Sequence, residues 1–144
     1  MTRRLTLLFC TTFLYHTITA QENPRSVVGT WLNEERDARI ELYETGGRIN
    51  GKLVWGAHLL EANGHSKKDL HNSDPLLRDR DLLNLVILTG FVAERDQWED
   101  GKIYDPKSGK TYSAILKVWK GNLQLRGYTG ISLIGRTTVW TRYR

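Results

Sequence analysis

The sequence predicts an all-β fold, a small antiparallel up-and-down barrel of eight or nine strands with one long polar loop. Three observations carry this. Apolar and polar residues alternate with period two along most of the chain after Ser26, as strands with one buried face require. Turn-forming residues interrupt the alternation at short intervals, and connections this short force neighbouring strands to run antiparallel. So many short strands must also hide their edges, by closing into a barrel or by packing as two sheets; closure is the expectation.

Residues 1–20 read as an export signal. Arg3-Arg4 precede an apolar run from Leu5 to about Tyr15, and Ile18-Thr19-Ala20 gives way to the polar Gln21-Glu22-Asn23-Pro24, the positive, apolar, small-residue order of a secretory leader. The run is shorter than the roughly 20 residues that cross a bilayer, so no membrane span is expected and the product is expected in a periplasm or outside the cell. Phe9 stands before Cys10 where a lipoprotein signal needs a small residue, so no lipid anchor is expected. Cleavage after Ala20 leaves 124 of the 144 residues as a single domain over 21–144 and removes the only cysteine. Stability must then come from an ordinary core, not from a disulfide.

Val27, Gly29 and Trp31 share one face of the first strand, and Ala38, Ile40 and Leu42 alternate with Arg39, Glu41 and Tyr43 along the second. Thr45-Gly46-Gly47 turns the chain into Ile49, Gly51, Leu53 and Trp55. Residues 57–83 break the pattern with His58, His65, Lys67, Lys68, Asp69, His71 and Asn72; a loop so long inside a compact domain usually has a function. Within it, Asp74-Pro75 suits the start of a short helical turn through Leu76, Leu77 and Arg78. Glu99-Asp100-Gly101 and Asp105-Pro106-Lys107-Ser108-Gly109 read as turns. Tyr112, Ala114, Leu116 and Val118 then face one way, and Gly121-Asn122 closes a hairpin into Leu123, Leu125 and Gly127. The last strand sets Arg136, Thr138, Trp140 and Arg142 against Thr137, Val139, Thr141 and Tyr143.

Without Arg3 and Arg4 the net charge falls from +5 to +3, and beyond the signal the basic residues read as interleaved with acids, with no run longer than Lys67-Lys68. Phosphate-backbone binding needs a clustered basic stripe, so nucleic acid is not an expected partner.

Several blocks resemble one known family. They are Val28-Gly29-Thr30-Trp31, Gly51-Lys52-Leu53-Val54-Trp55, Asp69-Leu70-His71-Asn72-Ser73-Asp74-Pro75 with Leu77-Arg78-Asp79-Arg80, and Gly101-Lys102-Ile103-Tyr104-Asp105-Pro106 with Ser108-Gly109-Lys110-Thr111-Tyr112. The last is Leu125-Arg126-Gly127-Tyr128 through Gly135-Arg136-Thr137 to Trp140-Thr141-Arg142. In order and spacing the chain resembles an uncharacterised bacterial secreted family, the domain of unknown function 2147, which brings no activity with it. Similar proteins carry a cysteine pair about the first hairpin, where this chain has Thr45 and Asn50. Gly29-Thr30-Trp31 with the late Trp140-Thr141-Arg142 is also similar to lipocalin and avidin-type barrels, which implies that the early Trp packs under a basic side chain.

The candidate ligand-binding residues are Arg126 and Tyr128 on one strand and Arg136, Trp140 and Arg142 on the next, with Trp31 near the start. Should these faces turn inward, guanidinium, phenol and indole groups would line a cavity suited to a carboxylate or phosphate, because a buried Arg needs an anionic partner. The competing arrangement turns the arginines to solvent and fills the interior with Leu123, Leu125 and Val139. Trp31, Trp55, Trp98, Trp119 and Trp140 are read mostly as core. The loop supplies a second group, Asp69, Asn72, Asp74, Arg78 and Arg80, which either forms an acid-base cluster or ties the loop down by ion pairs. His58, His65 and His71 with Asp69 and Asp74 are spaced too widely for a metal site. Gly109-Lys110-Thr111 lacks the earlier glycine of a phosphate loop, since Tyr104 stands there, and Ser132 lies in no nucleophile elbow. No cofactor and no catalytic residue is therefore expected. Three functions follow in order: binding of a small amphipathic or anionic ligand inside the barrel, a cell-envelope interaction module with a packed interior, and a hydrolase acting through the 57–83 loop.

Overall fold

Strand alternation and tight turns together set the architecture. The computed structural model describes residues 26–144; the expected export signal lies outside these residues. The strands are β1 Gly29–Leu32, β2 Ala38–Thr45, β3 Arg48–Gly56, β4 Val86–Glu94, β5 Gln97–Asp105, β6 Lys110–Trp119, β7 Asn122–Tyr128 and β8 Gly135–Arg142. Each pairs antiparallel with the next, and β8 returns to β1, closing an eight-stranded barrel. Gly46 and Gly47 both take positive φ, which lets a two-residue turn follow the right-handed twist of β2 and β3.

Glu99-Asp100-Gly101 is not a turn: β5 runs through it, and the β5–β6 register slips between Trp98 and Gly101. The slip is a bulge that sets Gly101 under the Phe91 ring, where a Cβ would collide; the hairpin turn falls instead at Arg95-Asp96. β4 is the strand that alternation did not single out. Its start, Val86-Ile87-Leu88, is a continuous apolar run, and Gly90 breaks its backbone at φ 78°.

The two ends of the barrel differ. Val27, Trp31, Leu42, Phe91, Leu116 and Leu123 are fully buried and plug one end. At the other end lie residues 33–37, the long loop after β3, the Asp105–Gly109 turn and the β7–β8 loop. The long loop is ordered by its own bonds: Lys67 N donates to the Leu59 carbonyl and Leu82 N to the Lys67 carbonyl, both at 2.9 Å or less. Asp74 caps a 3-10 turn at Pro75–Leu77 through Leu76 N, as Asp before Pro predicts.

Candidate functional site

Inward and outward faces of β7 and β8 follow from their register. Leu123 pairs with Trp140, Leu125 with Thr138 and Gly127 with Arg136, so the face that buries Leu123 and Leu125 is the face that carries Trp140, Thr138 and Arg136. Arg126 pairs with Thr137 on the opposite face. It does not line the interior: its guanidinium donates to the Ser132 and Leu133 carbonyls and to Thr137 Oγ1 at 2.7, 3.2 and 2.9 Å. Val139, expected in the core, shares that outward face.

The open half of the barrel holds a cavity of about 1070 Å³ that opens to solvent at the mouth. Its walls are mostly apolar, with Ala38, Leu53, Ile87, Ile103, Leu125 and Trp140 inside and Leu59, Leu70 and Ile134 near the mouth. Arg136, Tyr128, Lys67, Lys107, His58 and His71 bring polar groups to the same space, and so do the carboxylates of Glu35, Asp37, Glu61 and Asp105. Among the described residues no carboxylate lies within 4 Å of the Arg136 guanidinium. Leu59, Leu70, Ile87, Ile103, Tyr112 and Ile134 were not foreseen as lining. The alternation put Tyr112 on one face with Ala114, Leu116 and Val118, but only the closed topology turns that face to the cavity.

Trp31 and Arg142, also expected beside a ligand, sit at the plugged end and do not line the cavity. The Arg142 guanidinium lies 4.2 Å over the Trp31 ring and donates to the Val28 and Ser26 carbonyls at 3.1 and 2.5 Å. The Trp31 indole donates to the Val27 carbonyl at 2.8 Å. Gly29 makes this possible: its φ is +133° and a Cβ there would stand 2.6 Å from Arg142 Nη1. These groups are committed to closing the barrel.

The loop residues converge on Tyr104 of β5. Asp69 is 1% exposed and accepts from Tyr104 Oη at 2.5 Å, Asn72 Nδ2 at 2.9 Å and Arg80 Nε at 2.8 Å. Arg78 Nε donates to the Asn72 carbonyl at 2.8 Å, and Asp74 is spent on its cap. Gly109, at φ +70°, lies so close under the His71 carbonyl that no Cβ fits, so the loop is seated on the β5–β6 hairpin. The cluster thus ties the loop down. Burial opposes ionisation of Asp69, but the bonds from Tyr104, Asn72 and Arg80 and the Arg80 charge outweigh it, holding the carboxyl below its ordinary 3.8. Burial, then the neighbouring carboxylate, pushes the Tyr104 phenol up.

A pH dependence follows. With the folded pKa lowered, the stabilisation from Asp69 is present above the unfolded value of 3.8 and is lost as pH falls through the lower folded value. Denaturant midpoints taken from about pH 6 to about pH 3 are expected to fall more steeply for the wild type than for Asp69→Asn; parallel slopes would contradict this.

Among the described residues no three His, Cys, Asp or Glu side chains gather as a metal-ion site, and no helix is long and apolar enough to cross a membrane. A family model described as an uncharacterized protein conserved in bacteria (DUF2147) matches residues 29–142, and the chain belongs to that family. No curated protein matches it. Among solved structures it is similar to HP1028 from the human pathogen Helicobacter pylori, described as belonging to the lipocalin family, at 24% identity with a TM-score of 0.72 over 83% of this chain and 84% of that one. That likeness establishes the fold, a lipocalin-like barrel.

Proposed function

We propose that this family member is an exported carrier that binds a small amphipathic ligand in the open half of the barrel, its apolar part among Leu53, Ile87, Ile103, Leu125 and Trp140 and an anionic group near Arg136 and Tyr128. The observation that carries the reading is the asymmetric interior: one end is plugged by Trp31 and its neighbours, while the other holds an apolar cavity of about 1070 Å³, at the upper end of the size range of small-molecule sites. The Arg136 guanidinium, without an acid partner among the described residues, supports an anionic group, since its fork matches a carboxylate or phosphate. A module with a solidly packed interior does not describe this open half. Loop hydrolysis has little support, because Asp69 is buried and fully engaged by donors.

Gly127 offers a test that spares the fold. It lines the cavity, and a Cβ built there meets only an Ile103 methyl at 3.7 Å, so a larger side chain grows into empty space. Gly127→Phe is expected to weaken binding of palmitate, read by displacement of a naphthalene-sulfonate probe, by about tenfold or more at an unchanged or higher melting temperature. Full binding by a folded Gly127→Phe would place the ligand elsewhere.

A further inference from the structure

Charge and loop shape meet at the mouth of the barrel. The interleaving of acids and bases ends at Asp105: beyond it the sequence has no Asp or Glu, while eight lysines and arginines follow. β6, β7, β8 and their connections are therefore an acid-free, basic wall. On that wall the β7–β8 loop holds Ile131, Leu133 and Ile134 in solvent, 59, 86 and 72% exposed. Aliphatic side chains left to themselves would turn into the apolar cavity beside them, whose wall already includes Ile134. The loop is held in its present shape instead. Ile134 N closes a turn on the Ile131 carbonyl at 3.1 Å, and the Arg126 guanidinium fixes the Ser132 and Leu133 carbonyls from the barrel wall.

We propose that this loop is a docking tip for an anionic lipid bilayer, with Ile131, Leu133 and Ile134 entering the interface and Lys107 and Lys110 meeting the headgroups. Charge complementarity selects the occupant, because basic residues around an apolar tip match a surface of lipid phosphates. The tip also lacks the aromatic anchors that dominate protein–protein hot spots. Its apolar surface reaches the cavity through Ile134; Glu35, Asp37, Glu61 and Asp105 line the same cavity, so the tip and its own basic neighbours, not the whole mouth, meet the bilayer. The inference goes beyond ligand binding and does not depend on it, since an empty barrel presents the same tip.

The test is flotation of the 144-residue protein, purified from the soluble fraction, with vesicles of phosphatidylcholine alone or with about one third phosphatidylglycerol. The protein is expected to float with the anionic vesicles, less with the neutral ones, and to be released as salt rises to about 0.5 M. Ile131→Asp combined with Leu133→Asp should weaken binding about tenfold or more at an unchanged melting temperature and unchanged probe uptake in solution, because neither residue lines the cavity. Lys110→Glu should flatten the salt dependence. Equal flotation with both vesicle types, undiminished binding by the double variant, or no flotation at all would each overturn the proposal, the last leaving the tip to a protein partner.

Discussion

Trp31→Ala is expected to lower the unfolding free energy by about 3–5 kcal/mol, the range for truncating a buried Trp. The side chain is 0% exposed, and more than its contact area is at stake. β1 and β8 pair at Trp31 with Arg142 and Leu32 with Thr141, and Tyr143 N adds one more bond to the Thr30 carbonyl at 2.9 Å, so the seam that closes the barrel is short. The Arg142 guanidinium over the indole reinforces that seam by gripping Ser26 and Val28. Removing the ring leaves a void under an arginine that then lacks its support. Urea unfolding followed by circular dichroism measures the loss; a cost below about 1 kcal/mol would mean that the seam is held by other contacts. Arg142→Met keeps the apolar stem and should cost less, separating the cation from the packing.

Asp69→Ala is expected to be the second large loss. Breaking a fully buried ion pair by removing one partner costs about 3–5 kcal/mol; Arg80 is one third exposed, which lowers that cost, but Arg80, Asn72 and Tyr104 all lose their acceptor. The damage should begin in the loop. Amide exchange of residues 59–82 is expected to quicken before that of β6 and β7, and palmitate affinity should fall because Lys67, Leu70 and His71 form part of the cavity wall. Tyr104→Phe, which removes one of the donors, should cost about 0.5–1.5 kcal/mol. Uniform protection in Asp69→Ala would show that the loop does not rely on this cluster.

The barrel was legible because each strand buries one face and because Gly46-Gly47 and Asp105–Gly109 can hardly be anything but turns. The Asp74 cap was legible for the same local reason. Register was not. Arg126 and Arg136 look equivalent in sequence, yet Gly127 pairs with Arg136, which sends the two arginines to opposite faces; one lines the cavity and the other braces a loop. The cluster about Asp69 depends on Tyr104, 35 residues away, a pairing that no local pattern encodes. The bulge at Glu99–Gly101 imitated a turn because Asp and Gly suit turns, while Asp100 takes its positive φ of 59° inside a strand. The absence of acids after Asp105 was in plain view, but it acquires meaning only once β6, β7 and β8 stand side by side.

The most direct measurement is native mass spectrometry of the protein purified gently from its own envelope fraction, compared with the denatured mass and repeated for Gly127→Phe. Carriage of an amphipathic ligand in the open half predicts an adduct that is lost on denaturation and absent or depleted in the folded variant. A bare mass, together with no displacement of the naphthalene-sulfonate probe by palmitate, or an adduct that Gly127→Phe retains in full, would contradict it.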